Sequence, residues 1–152
     1  MKRDLIQMGG FRTRYLAESG GAFALLEHTL QPGVMGMPPH RRTREDALSY
    51  VLEGTLTVWD EGATRTFRPG EVASKPRGRW HTFWNAGSEP VRFLEVISPS
   101  PFASYFRDLG TILAEPGPPN WAALGELTVR YGLEMDFAIE EVLAAEHGVQ
   151  LG

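Results

Sequence analysis

Three side chains with chemical potential stand out in the sequence: His40, Arg42 and His81. Residues two apart on a β-strand point to the same side, so we expect His40 and Arg42 to face the same way. Because imidazole titrates near neutral pH, His40 and His81 are candidates for a catalytic acid and base pair. The alternative is that both are hydrogen-bonded in the interior and inert.

Arg42 is the most diagnostic of the three. Its guanidinium group stays protonated and has no lone pair to give to a metal. If Arg42 points inward, its charge needs a partner, because an unpaired buried guanidinium is costly. That partner is either an internal carboxylate or an anionic group on a ligand, held in bidentate fashion. The alternative is a local bulge that turns Arg42 towards solvent.

The composition narrows the possible classes of function. The chain has 152 residues, a net charge of −4 and no cysteine. Without a basic excess a nucleic-acid partner is not expected, and without cysteine no thiol nucleophile or disulfide is available. The sequence lacks the long apolar run that a membrane segment or a signal peptide needs. We therefore expect a single-domain cytoplasmic protein that binds neither nucleic acid nor membranes.

Short strand patterns dominate the chain from about residue 23 to residue 99. Runs rich in β-branched and aromatic residues are separated by Gly and Pro turns, which favours a sandwich or closed barrel. The predicted strands cover 23–30, 49–59, 63–67, 71–75, 81–84 and 90–97. Helical spacing of apolar residues then predicts helices over 102–113, 121–131 and 136–147. Asn120 should cap the second helix, and Gly148 should end the third.

Two segments of the chain resemble the two sequence signatures of the cupin superfamily. The spacing of the second signature is matched by Gly70, Pro76, Gly78, His81 and Asn85, and residues 33–54 have the frame of the first. Further matching segments make nearly the whole chain similar to short bacterial cupins related to quercetin 2,3-dioxygenases. These segments are 27–33, 38–40, 44–46, 50–54, 81–85, Phe102 and 130–134.

This resemblance implies an all-β fold, the cupin double-stranded β-helix or jelly-roll barrel. Residues 1–100 would form the barrel, and residues 101–152 would be a helical extension of the same domain, packed on its outside. Such barrels often pair, which implies a homodimer. In the dioxygenases a divalent metal inside the barrel binds a flavonol, and O₂ cleaves its heterocycle.

The metal-binding positions of the resemblance are only half retained. Cupins that use a metal take two His and one Glu from the first signature and one His from the second. The matching positions here are His40, Arg42, Ala47 and His81. Thus His40 and His81 are the ligands that remain for Mn, Fe, Ni, Co, Cu or Zn. Arg42 would repel a metal and Ala47 has no ligand atom, so a metal-free protein is favoured.

Other side chains are candidates to replace the missing ligands. Glu45 or Asp46 could take the place of the lost Glu, and His28 could face the barrel interior. The alternatives are ordinary roles, as solvated or Arg-paired carboxylates and as a strand residue. His147 is expected to lie at a helix C-terminus, where the macrodipole favours it, without a catalytic role.

Aromatic and methionine side chains near these positions suggest a ligand pocket. With Arg42, the expected substrate-binding residues are Met37, Tyr50, Trp59 and Phe83, although such residues in strands also build cores. Two hypotheses follow. The first is a metal-independent cupin that binds an aromatic or acidic small molecule, or an isomerase or cyclase using His40 and His81. The second is a metal-dependent dioxygenase acting on a flavonol-like substrate.

Overall fold

Two β-sheets enclose the core in the computed structural model, which describes residues 5–152. The first sheet contains, in spatial order, β1 (Leu5–Met8), β2 (Phe11–Glu18), β3 (Ala24–Leu30), β11 (Val91–Ser98), β6 (Asp46–Glu53) and β9 (Val72–Lys75). Its neighbouring strands are all antiparallel. Alternate residues of β2, β3, β6 and β11 are buried, so one face of this sheet covers the core.

The second sheet is built around β10 (His81–Trp84), whose four residues are all buried. The path through it is β12 (Leu133–Met135), β5 (His40–Arg42), β10, β4 (Val34–Met35) and β13 (Gln150–Leu151). β10 also pairs with β7 (Leu56–Asp60), which in turn pairs with β8 (Ala63–Phe67). The largest apolar cluster joins side chains of both sheets, including Phe11, Phe93 and Phe83.

The C-terminal third is helical but also contributes two strands. A 3₁₀ turn (Ser100–Ala103) leads into α1 (Ser104–Leu113), followed by α2 (Trp121–Arg130) and α3 (Phe137–His147). The Asn120 side chain accepts a hydrogen bond from the Ala123 amide at the start of α2, as predicted. Gly148 ends α3 with φ 64°, also as predicted. No helix within residues 5–152 has the length and apolar character needed to cross a membrane.

The all-β prediction with C-terminal helices is confirmed, but some elements differ. β1 and β2 precede the first predicted strand, and the predicted strand 49–59 is two strands separated at Gly54, which has φ 76°. A Cβ atom at Gly54 would also lie 2.6 Å from the Pro90 carbonyl oxygen, so glycine is required at this turn. β12 and β13 show that the extension completes the second sheet as well as covering it.

Strand register places the candidate residues in rows. His40 lies opposite His81 on β10 and opposite Met135 on β12, so these three side chains share one face. Arg42, two residues along β5, lies opposite Leu133 and faces the same way. From the other sheet, Glu95 projects inward between Phe93 and Ile97, both fully buried.

Candidate functional site

A cluster of ionisable side chains fills the centre of the barrel. Its members, each at most 3% exposed, are His28, His40, Arg42, Lys75, His81 and Glu95. We call this set the lumenal cluster. Burial of so many ionisable groups is unusual, and each charge must be paired or neutralised.

Glu95 is the centre of this cluster. Its Oε1 accepts a hydrogen bond from His28 Nε2 at 2.7 Å, and its Oε2 lies 3.5 Å from Arg42 Nη2 and 3.6 Å from Lys75 Nζ. Thr13 Oγ1 completes the chain by bonding His28 Nδ1 at 2.8 Å. Burial alone would raise the pKa of Glu95, but Lys75, Arg42 and His28 hold it well below its usual range. Glu95 is therefore ionised and pairs with both cations.

The two predicted histidines face each other across the second sheet, with ring centroids 4.3 Å apart. His40 Nδ1 donates to the Pro38 carbonyl at 2.8 Å, and His81 Nδ1 donates to the Arg79 carbonyl at 3.2 Å. Since a carbonyl only accepts, each neutral ring carries its lone pair on Nε2. Arg42 Nη1 lies 3.4 Å from His81 Nε2, whereas His40 Nε2 has no partner within residues 5–152.

Both imidazoles are held neutral. Burial, reinforced by Arg42, lowers the pKa of His40 to about 3. Burial, with His40 and Arg42 nearby, also lowers the pKa of His81 well below 6.5. The third histidine, His28, has its pKa lowered by burial against the opposing effect of Glu95. The histidines therefore add no positive charge to the lumenal cluster at neutral pH.

The residues of the cluster do not fit a metal of the cupin type. His40 Nε2 and His81 Nε2 would be two ligands, but the Arg42 guanidinium lies against the second of them. No group of three or more His, Asp or Glu side chains in residues 5–152 is placed to hold an ion. His28 directs its Nε2 proton at Glu95, and Asp46 is exposed and paired with Arg77 at 2.9 Å. Thus neither replaces a missing ligand.

Aromatic rings close the cluster off from solvent. The Arg42 guanidinium lies 4.6 Å from the centroid of Phe102, which is fully buried. Lys75 Nζ lies 4.6 Å from the centroid of Phe83. These distances are those of cation–π contacts, which stabilise both cations inside the barrel. The alternative in which a local bulge turns Arg42 towards solvent is therefore wrong. The partner of Arg42 is the internal carboxylate Glu95.

The aromatic and methionine residues expected to bind substrate lie in four different places. Phe83 packs in the core, and Met37 lies at the barrel mouth. Tyr50 is 40% exposed on the outer face of β6, because Ala47, Ser49 and Val51 take the inward positions. Trp59 packs with Trp84 and Leu143, beneath α3. The expectation that Tyr50 and Trp59 line a lumenal pocket is therefore wrong.

A cavity of about 400 Å³ lies between the barrel mouth and helices α1 and α2. We call it the mouth cavity. Among residues 5–152 no charged side chain lines it, and its wall includes Met37, Tyr105, Leu109, Trp121, Leu124 and Met135. Met135 is in the same row as His40 and His81, so the cavity adjoins the outer end of that row.

A family described as the cupin domain matches residues 26–97. Residues 26–97 of this chain are a cupin domain. A sugar phosphate isomerase from a cupin superfamily of Silicibacter pomeroyi is 30% identical to this cupin, with a TM-score of 0.56, and the alignment covers 62% of each chain. This cupin thus spans less than two thirds of that relative. No curated protein matches it.

Two further solved structures share the fold of this cupin. KdgF from Halomonas sp. is 21% identical with a TM-score of 0.56, over 63% of this chain and 86% of that one. A predicted oxalate decarboxylase from Thermotoga maritima is 24% identical with a TM-score of 0.54, over 59% and 80%. The closer relationship to quercetin dioxygenases stays a prediction.

Sequence reasoning missed Lys75, Glu95 and Tyr105. Inward and outward side chains alternate along β11, so Glu95 could have been predicted to point inward, like the apolar core residues Phe93 and Ile97 on either side of it. Lys75 carried a similar signal, since Ala73, two residues before it, is buried. No pattern pointed to the mouth cavity, whose residues come from distant parts of the chain.

Proposed function

We propose that this cupin is a metal-independent small-molecule-binding protein that takes an uncharged, apolar or aromatic ligand in the mouth cavity. The observation that carries this proposal is the cavity itself. Its volume of about 400 Å³ lies in the range of small-molecule sites, roughly 300–1,000 Å³. The mainly apolar wall favours a ligand that gains most of its affinity from burial.

The methionines of the mouth cavity favour an aromatic ligand. Met8, Met37 and Met135 all contribute to its wall. Thioether side chains adapt to irregular shapes and make favourable contacts with ring edges. Trp121, 71% exposed, stands at the rim and offers a flat apolar surface for an entering ring.

A phosphorylated sugar, suggested by the isomerase relative, suits the cavity less well. A phosphate needs cationic side chains within reach. The cations nearest the barrel centre, Arg42 and Lys75, are only 2% exposed and already share Glu95. An uncharged ligand avoids this conflict.

A dioxygenase of the quercetinase type is also less well supported. That chemistry depends on a bound metal, and the Arg42 guanidinium lies 3.4 Å from Nε2 of His81, one of the two remaining candidate ligands. Neither His40 nor His81 is among the residues that line the mouth cavity, so a ligand bound there does not contact them directly.

Gly125→Leu should weaken ligand binding at least about tenfold without unfolding the protein. Gly125 lines the mouth cavity, and a Cβ added there meets no atom within 4 Å, so a leucine side chain can occupy the ligand volume. The same change favours helix α2 by up to about 1 kcal/mol, because glycine is a poor helix former. Fluorescence titration with the neutral aromatic probe N-phenyl-1-naphthylamine should show wild-type binding and at least about tenfold weaker binding by the variant.

Ala122→Leu is the matched control for this experiment. Ala122 is exposed on the same helix but does not line the cavity, so this variant should bind the probe like the wild type. Equal binding by all three proteins, or no binding by the wild type, would contradict the proposed site.

We also propose that two copies pair through the outer face of the first sheet. Rows of outward apolar side chains run across three strands there, with Leu94 opposite Tyr50 and Tyr50 opposite Val72. Leu48 and Val96 form the adjacent row. Tyr50 and Val72 are 40% and 49% exposed, which leaves an apolar surface suited to a second copy.

Tyr50→Glu should therefore convert a dimer to a monomer, because two carboxylates would be buried in a symmetric interface. Sedimentation velocity measures the change. Val129→Glu, an exposed position on α2, should leave the dimer intact. A wild-type monomer, or a Tyr50→Glu dimer as stable as the wild type, would refute this interface.

A further inference from the structure

Tyr105 is the distinctive polar residue of the mouth cavity. The side chain lines the cavity, the residue is only 1% exposed, and its hydroxyl has no hydrogen-bond partner within residues 5–152. The other hydroxyl of the wall, Thr128 Oγ1, already donates to the Gly125 carbonyl at 2.7 Å. Tyr105 therefore holds an unused hydrogen-bonding group in an otherwise apolar site.

The orientation of this hydroxyl is fixed by packing. The Tyr105 ring stacks on Phe102, with centroids 5.3 Å apart and planes inclined by 22°. Phe106 and Tyr131 contact the same ring in edge-to-face geometry, at 5.7 Å each. Held between three aromatic neighbours, the phenol loses little freedom when a ligand binds, which favours affinity.

The hydroxyl is a donor at every physiological pH. Burial raises the pKa of Tyr105, although Arg42 opposes the shift, so the phenol stays protonated. An acceptor brought by a ligand would pair with this hydroxyl and add a hydrogen bond to the affinity. In the part of the chain that the structure describes, no carboxylate side chain lines the cavity to act as that acceptor.

We propose that Tyr105 selects, within the mouth cavity, aromatic ligands that carry an uncharged oxygen acceptor such as a ketone carbonyl. This inference rests on the proposed function and adds the chemical class of the ligand. The aromatic part packs against methionine and leucine side chains, while the carbonyl accepts the Tyr105 proton. Sites that hydrogen-bond a ligand group discriminate against analogues that lack it, because their polar group is left unpaired.

The test compares benzophenone with diphenylmethane, two uncharged diaryl molecules that differ in having C=O or CH₂ between the rings. Each competes with N-phenyl-1-naphthylamine for wild-type protein and for Tyr105→Phe. The ratio of the two dissociation constants should change about fivefold on mutation, because one neutral hydrogen bond contributes about 1 kcal/mol. The change should come from weaker benzophenone binding, with diphenylmethane affinity nearly unaltered.

Tyr50→Phe is the control for loss of a phenol outside the cavity. Tyr50 is 40% exposed on the outer face of β6 and does not line the cavity, so this variant should keep the wild-type ratio. An unchanged ratio in Tyr105→Phe would overturn the role of Tyr105 while leaving the cavity as a binding site. Failure of all probes to bind wild-type protein would instead overturn both the proposed function and this inference.

Discussion

Replacing Glu95 with glutamine is expected to lower the free energy of unfolding by about 3–5 kcal/mol. The change keeps the size of the side chain but removes the only carboxylate that Arg42 and Lys75 contact among residues 5–152. Both cations are 2% exposed, so water cannot solvate them in place of the lost carboxylate. Urea unfolding at pH 7.5 measures the difference, with an unchanged slope if the folded state remains compact.

Two further variants make this prediction specific to the lumenal cluster. Glu134→Gln removes a carboxylate from a surface pair with Arg41, 2.8 Å long and solvent-exposed, and should cost at most about 1 kcal/mol. Adding Lys75→Met to Glu95→Gln should restore part of the lost stability, because one unpaired cation disappears. A Glu95→Gln protein as stable as Glu134→Gln would show that the cluster is open to water.

Acid should unfold this cupin at an unusually high pH, between about pH 4 and 5.5. His28, His40 and His81 all have lowered pKa values in the folded protein, chiefly because of burial. Below about pH 6.5 the unfolded chain takes up protons at these positions and the folded protein does not. The stability present above pH 6.5 is therefore lost as the pH falls towards the folded-state pKa, about 3 for His40.

The size of the acid effect follows from the number of groups. Each histidine contributes up to about 1.4 kcal/mol per pH unit, so three contribute up to about 4 kcal/mol per unit. Urea unfolding at several pH values, with a chelator present, measures this slope. The slope gives the number of protons that the protein takes up when it unfolds, and His40→Asn should lower this number by about one. An uptake of less than one proton on unfolding of the wild type would contradict the claim that these histidines are buried and neutral.

The sequence was sufficient to predict the fold class, because the signals for most strands and for the helix ends are local. Strand periodicity, the turn residues and the cupin spacing around His81 predicted most of the strands, and Asn120 and Gly148 correctly marked helix ends. The extra strands β12 and β13 were not predictable in this way. Each has three residues or fewer and gains its stability from pairing with strands more than 90 residues away in sequence.

The site was only partly predictable. His40 and His81 were correctly expected to meet, and the parity of residues on a strand brought Arg42 inward beside them. The same parity argues that Tyr50 points outward, since Ala47 lies three residues before it and faces in. The pairing of Arg42 with Glu95 depends on contact between the two sheets, which no local pattern specifies.

The lumenal cluster occupies the part of the barrel where the resemblance places the metal ligands. Arg42 places a fixed positive charge against His81, and Glu95 pairs with it from the opposite sheet. Lys75, on the same sheet as Glu95, adds a second basic group, whose pKa is lowered chiefly by burial while Glu95 opposes the shift. Phe102 and Phe83 cover the two cations. In the proposed function a ligand binds instead in the mouth cavity, where the helical extension provides α1 and α2 as a wall.

A crystal structure of chelator-treated protein grown with N-phenyl-1-naphthylamine tests this account most directly. The account predicts electron density for the probe between α1 and α2, against Met37, Tyr105 and Leu124, with Arg42 still paired to Glu95. Probe density inside the barrel beside His40 and His81 would contradict it. So would an anomalous metal peak at those histidines in crystals grown with added Mn, Fe or Ni.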